Sequence, residues 1–278
     1  MFDDFKKVAK QRFINCGIAE ANMMSVASGL ALTGMKPFIY TIAPFTTVRC
    51  LEQIKIGAAY HNTNITIIGT GSGLSYAELG PTHHSLEDIS IISSIPNMRV
   101  LAPCDSIELE NQIREIINLE GPSYIRIGKK GEPNLLDKYK MTKIGKAEIL
   151  KDGNDFLILG VGPILAEALK AREFLEKHHQ ISICIASLGG ICPLDLSFLE
   201  EMTKRNFRQW FTLEEHYLRG GLGSEINNWL IKSQKIYNIK IENICAPHKF
   251  INRLGNQSFT RDILKLNSTG IVEMILKQ

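Results

Sequence analysis

The chain of 278 residues is 44% apolar and 22% charged, the profile of a folded protein long enough for two domains. Its formal net charge of +3, with no basic block and no arginine stripe interleaved with aromatics, gives no footing for nucleic acid. No apolar run reaches the roughly 18 residues of a membrane span, and the charged opening "MFDDFKKVAKQRF" has no signal-peptide core, so a cytoplasmic globular protein with no membrane partner is expected.

Short apolar strands alternate with helical patterns along the first half. "RFINCGI" reads as strand-like and opens the helix "AEANMMSVASGLAL". "KPFIYTI" is a strand, "TTVRCLEQIKIGAAYH" a helix, and "NITIIGTG" a buried strand ending in glycines. "SLEDISIISSI" reads as a helix that Ser85 could cap, and "MRVLAP" as a strand. "DSIELENQIREIINL" is a helix capped by Asp105 or Ser106, and "PSYIRIG" is the next strand. Such alternation predicts parallel βαβ units.

Gly128 to Lys140 is polar, glycine-bearing and aperiodic, a linker candidate. "KAEILKDGNDFLILGVG" then reads as a hairpin entering a core strand, and the α/β rhythm restarts: helix 163–178, strand "ISICIASL", helix "DLSFLEEMTKR", strand "RQWFTLEE", helix "GLGSEINNWLIKS", strand "KIENICA" and two closing helices. The predicted fold is therefore two doubly wound α/β domains, 1–133 and 143–278, the first with a mostly parallel sheet and the second smaller. The cysteines Cys16, Cys50, Cys104, Cys184, Cys192 and Cys245 form no CxxC pair and have no histidine at zinc spacing, so reduced, buried or half-buried thiols are expected and a metal site is not.

In open α/β sheets ligands sit beyond the carboxyl ends of the strands, and the residues suited to chemistry fall there. Glu20 is either a first-turn acid favoured by the helix dipole or an acid held in an apolar site as partner for a heterocycle. Phe45, at a strand-to-helix turn, is either core or a stacking face for a planar ring. Arg49 and Gln53 stand one turn apart and could face a site or a subunit contact. In "GPTHHSLED", His83 and His84 are a solvated pair, or one of them, His83, meets a substrate oxygen. Lys129 and Lys130 are linker charges or a phosphate clamp. "TLEEHYLRGGLGSEIN" is neither a P-loop nor a dinucleotide fingerprint.

Together these stretches resemble the thiamine-diphosphate enzymes of the transketolase type. "RFINCGIAEANMMSVASGLALTG", "GPTHHSLEDISIISSIPNMRVLAPCD", "ICPLD" and "TLEEHYLRGGLGSEI" are similar, in order and spacing, to the C-terminal half of a transketolase or the second subunit of a split one. The resemblance implies a pyrimidine-binding domain followed by the family's C-terminal domain. It implies that Glu20 hydrogen-bonds N1′ of the cofactor's aminopyrimidine, its carboxyl raised in pKa by the apolar pocket, that Phe45 stacks on that ring, that Ile42 stands where a second pocket aromatic is common, that His83 contacts substrate, and that Lys129 stands where relatives place a phosphate-binding arginine. Lysine keeps that charge and loses the bidentate fork. Leu79 replaces an acid common before "GPTH". Relatives also carry a further strand and helix before "RFIN".

The family's diphosphate signature, GDG with a downstream Asn that ligates Mg²⁺, has no match here; "KDGND" lies in the wrong half. The resemblance therefore implies that thiamine diphosphate and its Mg²⁺ are held with an N-terminal (α) subunit in an α2β2 assembly that includes β–β contact. The expected activity is transfer of a two-carbon ketol unit between sugars or sugar phosphates. The alternatives are a β subunit of a 2-oxo-acid dehydrogenase E1, a deoxyxylulose-phosphate-synthase-like enzyme, or a non-catalytic scaffold subunit.

Overall fold

The computed structural model describes residues 2–129, 131–233 and 239–278. The first half begins with α1 (Asp3–Ala9) and α2 (Glu20–Leu32), then β1 (Phe38–Ile42). A helical run of changing pitch follows: α3 (Ala43–Thr46), α4 (Leu51–Gln53) and a wide π-type segment, Ile54–Tyr60. Next come β2 (Thr66–Thr70), α5 (Asp88–Ser93), β3 (Arg99–Leu101), α6 (Ser106–Ile116) and β4 (Ser123–Ile127). The second half contains β5 (Glu148–Lys151), β6 (Phe156–Gly160), α7 (Leu165–His179), β7 (Ile183–Ser187), β8 (Gly190–Cys192), α8 (Leu196–Met202), β9 (Gln209–Tyr217), α9 (Leu222–Lys232), β10 (Ile241–Ala246), α10 (Gln257–Ile263) and α11 (Ser268–Ile275).

The fold class is α/β, as expected. One sheet has the order β1-β2-β4-β3-β8 and the other β10-β9-β6-β7-β5. Each has four parallel strands and one antiparallel edge strand, β8 or β5. β6 and β7 are buried at every position, as strands covered on both faces must be. Asp105 caps α6, accepting from the backbone N–H groups of Ile107 and Glu108. Its other oxygen accepts from Leu135 and Leu136, which pins the linker to the first half. The small residues of α2 serve close approach: a Cβ at Gly57, in the π-type segment, would sit 2.1 Å from Ser28 Oγ.

Four local readings change. "KAEILKDGNDFLILGVG" is not a hairpin: β5 pairs antiparallel with β7, while β6 lies between β7 and β9. The fully buried "FLILG" takes a central place and the alternating β5 takes an edge, so burial overrides the turn signal of "KDGND". "RFINCGI" lies outside both sheets: Arg12 ends a 3₁₀ turn and Gly17 takes φ +68°, which breaks an extended run. Ser85 does not cap α5. It is buried and pairs by backbone with Gly73, and Glu87 precedes the helix. β8, unread in the sequence, crosses from the second half to close the first sheet against β3.

The halves share a core. Ile67, Val100 and Tyr124 of the first sheet join Leu157, Cys184 and Trp210 of the second in one apolar cluster. Through this contact runs a polar spine. The Arg126 guanidinium donates to Asp88 Oδ2 at 2.9 Å, and to the carbonyls of Ser85 and Glu215. Tyr124 donates its hydroxyl to the same Asp88 oxygen at 2.6 Å. Glu215 in turn holds the Arg261 side chain and accepts from Leu74 N. Beside it, Glu214 accepts from Leu222 N and Gly223 N, and His216 Nδ1 meets the Tyr217 carbonyl.

Arg126 and Asp88 are 3% and 1% exposed, so removing one partner strands a buried charge. Arg126→Ala should cost about 3–5 kcal/mol in urea-induced unfolding; a loss below about 1 kcal/mol would show that the pair does not hold the halves together. Burial pushes the Glu214 carboxyl up to about 7, against the downward pull of the Gly223 and Leu222 amides. Burial likewise pushes the His216 imidazole down to about 4. Folding thus takes up a proton at Glu214 and sheds one at His216, and over the window where both differ from the unfolded chain the two pH slopes oppose. Glu214→Gln removes the opposing slope of this pair and keeps that of His216. Its folded pKa lies below its ordinary 6.5, so stability is full above that pH and is lost as pH falls toward 4. Urea unfolding of Glu214→Gln against the double variant Glu214→Gln/His216→Gln at a series of pH values isolates this, and a difference between the two that stays flat across that window would contradict it.

Candidate functional site

α2 precedes β1 and packs on it, so its first residue, Glu20, lies at the edge where β1 ends. Phe45 follows β1, the 71–87 loop follows β2, and Lys129 follows β4. The carboxyl ends of three neighbouring parallel strands therefore gather these residues.

Glu20 is 9% exposed. Its Oε2 accepts from Arg49 Nη1 at 2.9 Å. Burial pushes the Glu20 carboxyl up, but the Arg49 hydrogen bond, its own backbone N–H and the Arg49 charge outweigh it, and the pKa lies below the ordinary value of 4.5. The raised carboxyl expected from an apolar pocket is thus corrected: in this chain the pocket contains a guanidinium. Arg49 Cζ also lies 4.1 Å from the centre of the Phe45 ring, a cation–π contact. The Phe45 ring meets His83 edge-on, with centroids 5.3 Å apart. Glu20, Arg49, Phe45 and His83 thus form one continuous cluster. Ile42 is half-buried at the end of β1, in register with Thr70, at the base of this edge.

The loop that carries the histidines is closed by a backbone bridge between Gly73 and Ser85. Gly73 has φ +60°, and a Cβ there would meet Glu215 Oε2 at 2.5 Å, so glycine serves both the turn and the close approach. The two histidines separate as adjacent residues must. His84 is buried, with Nε2 against the Ala77 carbonyl, and burial lowers its pKa. His83 is half-exposed, with Nδ1 2.9 Å from Thr82 Oγ1. Lys129 Nζ lies 3.0 Å from Glu78 Oε1 and 5.2 Å from the Tyr76 ring centre. Its charge is thus engaged by the acid beside Leu79, whose own side chain is half-exposed. Lys130 lies outside the described residues. Among the described residues no group of three or more His, Cys, Asp or Glu side chains is placed to hold a metal ion, and no helix is long and apolar enough to cross a membrane.

Arg49 is the residue that sequence reasoning underrates. Its spacing from Gln53 marks a helical face, but its partner is Glu20, which lies 29 positions upstream on another helix. The acids and histidine of "TLEEH" carry no local signal of their role. They end β9 and reach the back of the loop: Glu215 binds Leu74 N, His216 Nε2 lies 3.4 Å from Ser90 N, and Tyr217 N donates to the Leu86 carbonyl.

Residues 1–132 match the family described as transketolase, pyrimidine binding domain, and residues 145–262 match transketolase, C-terminal domain. The chain is similar to an apulose-4-phosphate transketolase subunit of Phocaeicola vulgatus, with 32% identity over 246 residues, covering 87% of this chain and 78% of that one. It is also similar to a putative transketolase C-terminal section of Methanocaldococcus jannaschii, with 37% identity over 224 residues, covering 80% of this chain and 69% of that one. Among solved structures it superposes on a split-gene transketolase described as an inactive β4 tetramer. The TM-score is 0.86 at 29% identity, over 99% of this chain and 86% of that one.

The lowered Glu20 pKa has a thermodynamic sign. Its ion pair contributes stability above the unfolded value near 4.5 and loses it as pH falls through the folded pKa. The difference in unfolding free energy between wild type and Glu20→Gln should therefore shrink as pH is lowered below 4.5. A difference independent of pH would show that the carboxylate is not what stabilises this corner.

Proposed function

The chain belongs to the transketolase family, as a protein built from its pyrimidine-binding and C-terminal domains, and on that footing we propose that it is the β-type subunit of a thiamine-diphosphate-dependent transketolase, moving a two-carbon ketol unit between sugars or sugar phosphates. The domains would span 1–133 and 143–278. One observation carries the reading: Glu20 and Phe45 hold a flat, nitrogen-bearing group between them, here the Arg49 guanidinium. An aromatic face beside a carboxyl, which accepts when ionised and donates when protonated, offers a planar nitrogen heterocycle a stacking surface and one hydrogen bond, so these residues fit the cofactor the family implies.

When bound, thiamine diphosphate supplies the nucleophilic carbon that takes up the two-carbon unit and the electron sink that stabilises it. The chain's own residues do the rest. Glu20 would hold a proton at the carboxyl oxygen that faces the ring nitrogen and share it with that nitrogen. Phe45 fixes the plane of the ring, and Ile42 supports its edge. His83, with Nδ1 turned to Thr82, offers Nε2 to a substrate oxygen. Lys129 lies across the loop mouth, where its charge can exchange Glu78 for a substrate phosphate. Glu78 and Lys129 are both more than two-fifths exposed, and ion pairs of that kind are weak enough to exchange.

The diphosphate and its Mg²⁺ would be held by a separate α subunit carrying the GDG signature, so the lone chain would be inactive. An α2β2 assembly with β–β contact is the arrangement we assign. Self-association is supported by the split-gene relative, which is described as a β4 tetramer.

Co-expression with a chain bearing that diphosphate domain tests the reading. The pair should transfer two carbons from a ketose or ketose phosphate to an aldose acceptor. Glu20→Ala should lower turnover by about 100- to 10,000-fold while the pair still assembles. Turnover on a 2-oxo acid alone would overturn the substrate assignment, and unchanged turnover of Glu20→Ala would reduce the chain to a scaffold.

A further inference from the structure

We propose that Arg49 is a placeholder for the cofactor's aminopyrimidine in the lone chain, and that its guanidinium must leave the seat between Glu20 and Phe45 before the ring can enter. The inference rests on the proposed role of Glu20 and adds a step of access to it. Arg49 fills, with one flat group, both positions that the ring would fill: Nη1 lies 2.9 Å from Glu20 Oε2, and Cζ lies 4.1 Å from the centre of the Phe45 ring. A guanidinium and an aminopyrimidine are both planar and both turn nitrogen toward the carboxyl: the guanidinium donates an N–H to the carboxylate, and the ring nitrogen accepts from the protonated carboxyl. They compete for one place.

The geometry makes this placeholder displaceable. The Arg49 side chain is 47% exposed, and its long stem can carry the charged head into water at little cost. The pair is open to water on its Arg49 side alone, the Glu20 side chain being 10% exposed, and a cation–π contact from a half-exposed guanidinium is weak, so a ring with better stacking area can replace the guanidinium. Departure also changes the acid left behind. With Arg49 gone, burial becomes the largest remaining influence on Glu20 and favours its neutral form, the form that can share a proton with a ring nitrogen. The buried thiol of Cys50, which feels the Glu20 charge, is itself pushed up to about 11 by burial and that charge, so it brings no opposing charge. In this way the lone chain holds a charged, paired Glu20, and the ring-bound seat is free to hold a neutral one.

The probe is 4-amino-5-hydroxymethyl-2-methylpyrimidine, the ring half of the cofactor, titrated calorimetrically into the full chain. Arg49→Ala should bind it about ten-fold more tightly than wild type, the size of the two contacts given up. Arg49→Lys, which keeps the charge and loses the planar fork, should fall between them. In the same variants, ¹³C-detected titration of the Glu20 carboxyl should move upward from wild type to Arg49→Ala. Equal or weaker binding by a folded Arg49→Ala chain, an unmoved carboxyl, or no binding by either chain overturns the inference. Glu20→Gln separates this failure from that of the function. If Glu20→Gln binds the probe as wild type does, the role assigned to Glu20 falls. If it loses the probe while Arg49→Ala gains nothing, only the placeholder falls.

Discussion

The ion pair between Arg126 and Asp88 is the contact on which the rest of the molecule depends. Arg126 lies on β4 and Asp88 opens α5, and the same guanidinium reaches the carbonyls of Ser85, in the loop, and Glu215, on β9 of the other sheet. One side chain thereby ties a strand, a helix, a loop and a second sheet together. A charge taken this far from water must be met from several directions at once. An apolar cluster of equal volume could match its stability, but it would have no directional claim on two particular carbonyls.

What that constraint positions is the 71–87 loop. Behind the loop, Glu215 holds Leu74 N and the Arg261 side chain, and His216 and Tyr217 meet Ser90 N and the Leu86 carbonyl. In front, His83 is carried to the Phe45 ring. The second half of the chain therefore acts on the site without lining it. It is the anvil against which a glycine-bearing loop is shaped.

The molecule uses arginine–carboxylate pairing in two regimes. Arg126–Asp88 is sealed, costly to break and structural. Arg49–Glu20 joins a half-exposed arginine to an acid whose side chain is 10% exposed, so the arginine keeps water within reach and can carry its charge out of the pair. The difference is one of solvent, not of chemistry. It leaves the interior rigid, while the edge of the sheet holds a contact that a ligand can replace.

The sequence by itself determined the elements and the set of chemically loaded residues. The α/β alternation, the Asp105 cap and the motifs around Glu20 and His83 are local patterns, legible because helix and strand periods and caps extend over a few neighbours. Family membership was legible for the same reason, through short stretches kept in order. Tertiary structure alone decided who meets whom. It set β5 against β7 rather than β6, sent β8 across to the first sheet, put Ser85 into a bridge instead of a cap, and gave Glu20 a guanidinium partner that lowers a pKa expected to rise. Each of these rests on groups far apart in the chain, as with Arg126 and Glu215, 89 positions apart. Burial, strand neighbours and ion pairs are properties of the packed whole, and no window of sequence contains them.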